Sequence, residues 1–472
     1  MKKGVAKHKT DFECSKSKPI LHGTFGTRQS NNEYLKVSFL KLNFKSISSP
    51  KSDFSKNVLT LLTGSIIGQI IVLAFTPIIS RLFSPSDFTT LEQFMMIITI
   101  ASVIITGKYE FAILHPKDKG DAKNILILAF ILSLLGSVLF TICGFLFSIP
   151  IGHYYQNEIM GQYFWLLGPS LFGLSLFNIS SYWFSREKQF RTFAISKTLN
   201  QAGGEPIKWW MGIMNFGSSG LLLATTLGYL FSGIYCAWKF LSHEPEIWKE
   251  IEKEKIYQQA KIHKEYPLYS LWGSILNRSA QWAHVGIFTH FYGLMAIGFI
   301  ALCRRILFVP LNIISNSFSQ VFFQKICEIE SALELKRVYQ KYFRQFLLWS
   351  VMITLLLYCL PDNTMGWIFG DPWRESIYYL RILSFWYNLN FVISALSSIA
   401  LRIKMQRTAL LLDVIHFVAI YGAIFFAYTM GFDEKTAVIC LVITKVVYFV
   451  FNLAVVSWKL NLFVKNNYPE SA

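Results

Sequence analysis

The sequence has few charged residues and none of the common nucleotide-binding or hydrolytic signatures. Only 15% of its 472 residues are charged, whereas soluble domains carry about 25%. It contains no Gly-x-Gly-x-x-Gly, P-loop, His-Glu-x-x-His or Gly-x-Ser-x-Gly motif. We therefore expect neither a soluble globule nor an enzyme, and we predict no catalytic residues and no cofactor.

Metal and nucleic-acid sites are also not indicated. The seven cysteines are scattered without a Cys-x-x-Cys pair, and no loop spaces carboxylates as metal ligands. The formal net charge is +17. We attribute this charge to membrane topology and to contact with anionic lipid headgroups, because nothing else in the sequence favours a nucleic-acid partner.

Long apolar blocks dominate the chain, which is 53% hydrophobic. A helix needs about 20 apolar residues to cross a bilayer, and a backbone in hydrocarbon must bond to itself. The sequence thus predicts an all-α, polytopic membrane protein. The candidate spans are 58–82, 91–107, 124–149, 162–184, 193–215, 219–241, 269–291, 296–323, 344–361, 376–400, 409–430 and 436–458.

Lysine and arginine are concentrated on one side of these spans. The tails and alternate loops hold most of the 45 basic residues, whereas the connections on the opposite side hold only Arg374 and Lys435. Because basic loops stay cytoplasmic, both termini are expected in the cytoplasm.

The chain divides into five predicted segments. A basic tail rich in Lys, Ser and Asn is expected to be disordered, and a Glu/Lys-rich loop is expected to lie on the surface as a helix between two six-helix lobes. The boundaries are 1–57 for the tail, 58–241 for the first lobe, 242–268 for the loop, 269–460 for the second lobe and 461–472 for the C-terminal tail.

Several charged residues lie inside the predicted spans, where each costs roughly 2.5–3.5 kcal/mol and usually faces a cavity or a partner. Arg278 and Arg304 have no carboxylate three or four residues away. We therefore expect them to line a cavity that receives an anion, since arginine suits phosphate. Glu205 and Lys208 are one helical turn apart and either neutralise each other or contact substrate. Asp413 lies near a span end, where it can reach the interface.

Three stretches resemble the Wzx-type polysaccharide flippases of the multidrug/oligosaccharidyl-lipid/polysaccharide exporter superfamily. The similar features are Gly64, Gly68 and Gln69 followed by "SRLFSP", then "KYEFAIL" (108–114) with Asp121 and Ala122, then "RRILFVPLNIISNSFSQVFFQ" (304–324), with Pro267 before the seventh span. The chain departs from the family pattern after "SPSDF", where Thr89 and Thr90 replace the usual glycine.

This resemblance implies a V-shaped bundle of two six-helix lobes in the bacterial cytoplasmic (inner) membrane. The implied activity is translocation of undecaprenyl-pyrophosphate-linked oligosaccharide for O-antigen or capsule, with a polymerase and a chain-length regulator as further partners. Arg278, Arg304 and Lys208 would then face the anionic headgroup, and Glu205 or Asp413 would couple ion flow. Trp209, Trp272, Trp282 and Tyr292 are candidates for stacking on sugars.

Other functions are compatible with parts of this pattern. A multidrug or peptidoglycan-precursor exporter would share the span count, whereas a membrane-embedded polymerase would need a longer extracytoplasmic loop. Lys108 and Glu110 leave the membrane after the second span. We expect them at the cytoplasmic mouth, with Glu110 paired to a basic residue.

Overall fold

The structure, a computed structural model, describes residues 53–245, 252–403 and 405–467, and within these ranges the chain is helical with no strand. The helices of the N-terminal half are α1 (Asp53–Leu82), α2 (Pro85–Ile104), α3 (Tyr109–Ala112), α4 (Lys119–Leu146), α5 (Ser148–Tyr154), α6 (Glu158–Gln162), α7 (Leu167–Arg186), α8 (Phe190–Ala202), α9 (Glu205–Ile213) and α10 (Gly217–His243). Then come α11 (Lys253–Ile262), α12 (Leu271–Tyr292), α13 (Met295–Cys303), α14 (Val309–Glu328), α15 (Ala332–Tyr358), α16 (Thr364–Phe369), α17 (Ser376–Leu396), α18 (Ile399–Arg402), α19 (Gln406–Thr429) and α20 (Glu434–Asn467). We call α12–α20 the C-terminal half.

The predicted all-α membrane fold is confirmed. Among the described residues, nine helices are long and apolar enough to cross a membrane. Two further long helices, α12 and α15, lie where the seventh and ninth spans were predicted, although both are more polar. The predicted basic tail falls outside the described residues up to position 52, as do 246–251 of the inter-lobe loop and 468–472 of the C-terminal tail.

The fifth predicted span, 193–215, is wrong as one continuous helix. It is two half-helices, α8 and α9, separated at Gly203 and Gly204. These glycines let the chain touch α10: a Cβ on Gly204 would lie 2.9 Å from the Ala224 carbonyl oxygen. Pro206, in the first turn of α9, lacks the N–H that would continue the ladder. The break therefore places Glu205 at a helix start.

The second span also begins earlier than predicted, at Pro85 instead of residue 91. Ser84 caps α2: its hydroxyl accepts from the Asp87 N–H at 3.3 Å, and the Asp87 carboxylate accepts from the Ser84 N–H at 2.8 Å. This capping box satisfies free backbone donors at the helix start. The extra turns bring Glu92 well inside α2.

The two halves touch at the end predicted to be extracytoplasmic. Trp373 donates from its indole to the Ser80 carbonyl at 2.6 Å, and Arg81 donates to the Trp367 carbonyl at 2.8 Å. The Phe88 ring meets the Trp373 ring edge-on at 4.8 Å. Gly298 lies directly on the backbone of α2, where a side chain would overlap Pro85. This end is therefore closed by packing between α1–α2 and the C-terminal half.

The inter-lobe segment docks on the N-terminal half. The Tyr109 hydroxyl donates to the Ala260 carbonyl of α11 at 3.1 Å, and the Tyr266 hydroxyl lies 2.6 Å from Nε2 of His115. A π-helical turn over Tyr266–Ser270 then leads directly into α12. A helix within the predicted surface loop is thus present at Lys253–Ile262.

Candidate functional site

Two adjacent arginines lie at a wide turn in the long helical span of the C-terminal half. Residues Arg304–Phe308 form a π-helical turn between α13 and α14. Pro310, in the first turn of α14, cannot donate to the Ile306 carbonyl, which accounts for the local widening. Neighbouring residues on a helix point in different directions. Arg304 and Arg305 therefore reach different partners.

Arg304 pairs with a carboxylate of the N-terminal half. One of its terminal nitrogens lies 2.6 Å and 2.8 Å from the two oxygens of Glu92 on α2. The Trp282 ring packs against the same guanidinium, with its centroid 4.4 Å away. Glu92 is only 7% exposed, and Nε of Arg304 is buried with no hydrogen-bond partner. Among the described residues, this N–H of the guanidinium therefore has no acceptor.

Arg305 reaches a second carboxylate of the N-terminal half. Its Nε donates to the Thr76 hydroxyl at 2.8 Å, and a terminal nitrogen bonds to Glu205. Lys208 binds the other oxygen of Glu205 at 2.9 Å. Glu205 and Lys208 are 3% and 8% exposed. The inter-half cluster, which we define as Glu92, Glu205, Lys208, Arg304 and Arg305, thus holds three cations and two carboxylates.

The prediction that Arg278 and Arg304 are both unpaired is wrong for Arg304, because Glu92 is far away in sequence and near in space. Arg278 on α12 is exposed and has no ion pair to any residue the structure describes. It lies apart from the cluster, near Lys108. Burial lowers the pKa of Lys108, and the positive charge of Arg278 lowers it further against the opposing effect of Glu110. Arg278 and Lys108 therefore lie close enough to repel each other electrostatically near the predicted cytoplasmic mouth.

Glu110 does not form the predicted ion pair. Its carboxylate accepts a hydrogen bond from the Thr106 hydroxyl one turn earlier. No lysine or arginine nitrogen of the described residues lies within 4.0 Å of it. Burial raises the pKa of this carboxyl. The hydrogen bond from Thr106, four residues earlier in the chain, therefore takes the place of the predicted ion pair with a distant basic residue.

The two ion-coupling candidates lie in different places. Glu205 has a cation on each oxygen, as described above. Asp413 on α19 is half-buried and accepts from the Asn277 amide of α12 at 3.4 Å, and Gln281 donates to Asn277 at 2.8 Å. Asp413 therefore belongs to a polar chain between α12 and α19 and not to the inter-half cluster.

The aromatic candidates are also dispersed. Trp282 lies on Arg304, whereas Trp209 and Trp272 are exposed and Tyr292 packs beside Tyr428. Sequence reasoning missed Glu92 and the role of Arg305. The predicted second span, 91–107, placed Glu92 at its end, and only the earlier start of α2 at Pro85 brings this residue inside the helix. Nothing near Arg305 in the sequence indicated its partners.

Solved transporter structures share this fold. The chain is similar to the lipid II flippase MurJ in an inward closed conformation, with a TM-score of 0.66, 11% identity and coverage of 87% of this chain and 92% of that one. It is similar to a MOP superfamily transporter from Pyrococcus furiosus, with a TM-score of 0.54, 13% identity and coverage of 90% and 99%. For the eukaryotic MATE transporter AtDTX14 the values are 0.55, 13%, 87% and 98%.

These identities show the fold alone, and no curated protein matches the sequence. The family model described as "Polysaccharide biosynthesis protein" matches residues 78–378, which is more than half of the chain. The chain is thus a multi-pass membrane protein with the fold of the MOP superfamily transporters, and it belongs to the polysaccharide biosynthesis protein family.

Proposed function

We propose that this protein is a flippase that moves undecaprenyl-pyrophosphate-linked oligosaccharide across the bacterial cytoplasmic membrane for O-antigen or capsule synthesis. The observation that carries the proposal is the inter-half cluster, in which Lys208, Arg304 and Arg305 face two carboxylates of the described residues. The excess positive charge favours an anionic ligand. The family membership supports a polysaccharide precursor as that ligand.

The chemistry of the cargo requires such a site. Sugar hydroxyls and a pyrophosphate lose their water in the bilayer, and each unpaired polar group then costs several kcal/mol. A guanidinium fork replaces water around a phosphate with directed hydrogen bonds. The polyprenyl tail needs no such replacement and remains in lipid. Arg278 and Lys108 would attract the headgroup at the cytoplasmic side before Arg304 and Arg305 bind it.

The ion pairs also suggest how binding drives the transport cycle. Glu92 and Glu205 belong to the N-terminal half, whereas Arg304 and Arg305 belong to the C-terminal half. In the protein without ligand, these carboxylates form ion pairs with the two arginines. A pyrophosphate that binds the same guanidiniums competes with them and weakens the contacts that join the halves. Because a ligand shifts an equilibrium only through different affinity for its two states, this competition supplies the required difference.

The fold neighbours include other cargo classes, among them the lipid II flippase MurJ. A peptidoglycan-precursor flippase is thus the second candidate, since lipid-linked pyrophosphates share the same anionic group. Both termini are proposed to be cytoplasmic, and a polymerase with its chain-length regulator is proposed to receive the product.

The test is deletion of the gene followed by analysis of lipid-linked oligosaccharide in each leaflet. Units trapped in the inner leaflet with loss of surface glycan are expected. Complementation with Arg304→Ala should fail, whereas Arg374→Ala, which alters an exposed arginine at the opposite end, should restore the glycan. Single units that reach the outer leaflet without polymerising would instead identify a polymerase. Unchanged surface glycan together with loss of peptidoglycan precursor export would favour the second candidate.

A further inference from the structure

The C-terminal half buries a lysine that has no anionic partner in the part of the chain that the structure describes. Lys445 lies in the middle of α20 and is 1% exposed. Among the described residues, no carboxylate lies within 4.0 Å of its Nζ and no oxygen accepts a hydrogen bond from it. Its one charge-specific contact is the Trp386 ring of α17, whose centroid is 3.8 Å away.

Two histidines with unused ring nitrogens lie on other helices of the same half, the buried His284 and the half-buried His416. His284 of α12 meets the same Trp386 ring at 5.8 Å and is 5% exposed, and its Nδ1 has no hydrogen-bond partner. His416 of α19 stacks on Tyr448, one turn after Lys445, at 3.9 Å, and its Nε2 is likewise buried without a partner.

Asp413 of α19 does not neutralise this lysine. Asp413 of α19 accepts a hydrogen bond from Asn277 and forms no ion pair with Lys445. The groups around Lys445 on α12, α17, α19 and α20 are therefore cationic, neutral or aromatic.

A buried ammonium without an anion is unfavourable, because one aromatic face compensates only part of the water it has lost. We propose that Lys445 and His284 bind a small inorganic anion, with His416 as a further donor and chloride as the ligand to be tested. An imidazole N–H and an ammonium both donate, so each unused group gains the acceptor it lacks. Because Lys445 and His284 are almost fully buried, we expect a small ion as the ligand. This site does not depend on the proposed transport substrate.

The experiment uses the purified full chain in detergent, with sodium chloride replacing sodium gluconate at constant ionic strength. A ligand that binds only the folded protein raises the unfolding temperature with its concentration. We expect a saturable rise of about 2–4 °C in the wild type. The rise should disappear in Lys445→Met, which keeps a long apolar side chain without the charge.

Two control variants test whether the chloride-dependent rise in unfolding temperature comes from the site at Lys445. Lys459→Met removes a half-exposed lysine of the same helix that also contacts an indole, at 5.4 Å from Trp458, and it should retain the full rise. Arg304→Gln should retain it as well. If Lys445→Met does not yield folded protein, His284→Leu should at least halve the rise at a subsaturating chloride concentration.

Three results would overturn the proposal. No saturable rise in the wild type would mean that the ammonium is neutral or held without an anion. An equal rise in Lys445→Met would place chloride elsewhere. Loss of the rise in Arg304→Gln with retention in Lys445→Met would place the anion in the inter-half cluster.

Discussion

The inter-half cluster and the surroundings of Lys445 differ in how a buried positive charge is compensated. In the cluster, Arg304 has Glu92, and Arg305 and Lys208 share Glu205. Lys445 is more deeply buried and contacts an indole, but no carboxylate of the described residues pairs with it. The first arrangement joins two halves of the chain, whereas the second lies within one half.

Because of this difference, we expect the two regions to have different roles when an anion binds. Carboxylates that come from the opposite half make the cluster sensitive to any motion between the halves, and they also compete with an incoming anion. A lysine held within α12, α17, α19 and α20 has no such link, so an anion there neutralises charge without joining the halves. Removing charge should therefore have opposite effects on stability in the two places.

The largest effect is expected at Arg304. Arg304→Met should destabilise the protein by about 3 kcal/mol, because it leaves the Glu92 carboxylate buried without its cation. The measurement is thermal unfolding of the purified protein with a double-mutant cycle. Glu92→Gln combined with Arg304→Met should recover much of the loss, since the uncompensated charge is then gone. Additive losses would show that the pair contributes no mutual stabilisation.

The second-largest effect is expected on the affinity for the pyrophosphate ligand. It tests whether the Glu92 carboxylate competes with pyrophosphate for Arg304. Glu92→Gln keeps the side-chain shape but removes the internal anion from Arg304. We expect undecaprenyl pyrophosphate to bind about tenfold more tightly, equivalent to roughly 1.4 kcal/mol. The measurement is calorimetric titration in detergent.

The matched control for this titration is Glu375→Gln. It removes a carboxylate that pairs with Lys435 at 3.3 Å and whose side chain is 61% exposed. This variant should leave the affinity unchanged. Weaker binding by Glu92→Gln would mean that Glu92 helps to hold the headgroup and does not compete with it.

A smaller effect of opposite sign is expected at Lys445. In chloride-free buffer, Lys445→Met should stabilise the protein by about 1 kcal/mol, because an apolar side chain replaces a buried charge that has no counter-ion. Thermal unfolding in gluconate measures this change, and Lys459→Met should stay within about 0.5 kcal/mol of the wild type. Destabilisation by Lys445→Met in gluconate would mean that the ammonium has a stabilising partner within the protein.

The contrast between these regions also shows what the sequence could predict. Long apolar runs dictate membrane helices because the backbone has no other way to bond in lipid, so the span positions followed from composition. Glu205 and Lys208 are three residues apart and were recognisable as a pair, which the 2.9 Å contact confirms. Local spacing therefore revealed local pairs.

The long-range pairs did not follow from spacing. Glu92 and Arg304 are separated by 212 residues, and only the packing of α2 against α12 and α13 brings them together. The break at Gly203 and Gly204 was hidden for a similar reason, because close approach to α10 is what makes those glycines necessary. Tertiary contacts thus determined both the partner of Arg304 and the position of Glu205.

The smallest effect is expected at Glu244, which shares its charge between two lysines, one of which, Lys119, is about half exposed to water. This residue directly follows α10 and lies 2.5 Å from Lys119 and 2.9 Å from Lys123. Burial would raise its pKa, but the hydrogen bonds and charges of the two lysines outweigh burial and lower the pKa below its usual 4.5. A lowered pKa means that the ion pairs of Glu244 stabilise the fold above about pH 4.5 and lose this contribution as the pH falls through the folded-state pKa.

Glu244→Gln should therefore reduce the free energy of unfolding at pH 7 by less than about 1 kcal/mol. The difference in unfolding free energy between variant and wild type should narrow in acid. Thermal unfolding of both proteins at pH 7 and near pH 4 measures this gap. A gap that stays constant or widens in acid would show that the ion pairs of Glu244 are not the source of its effect.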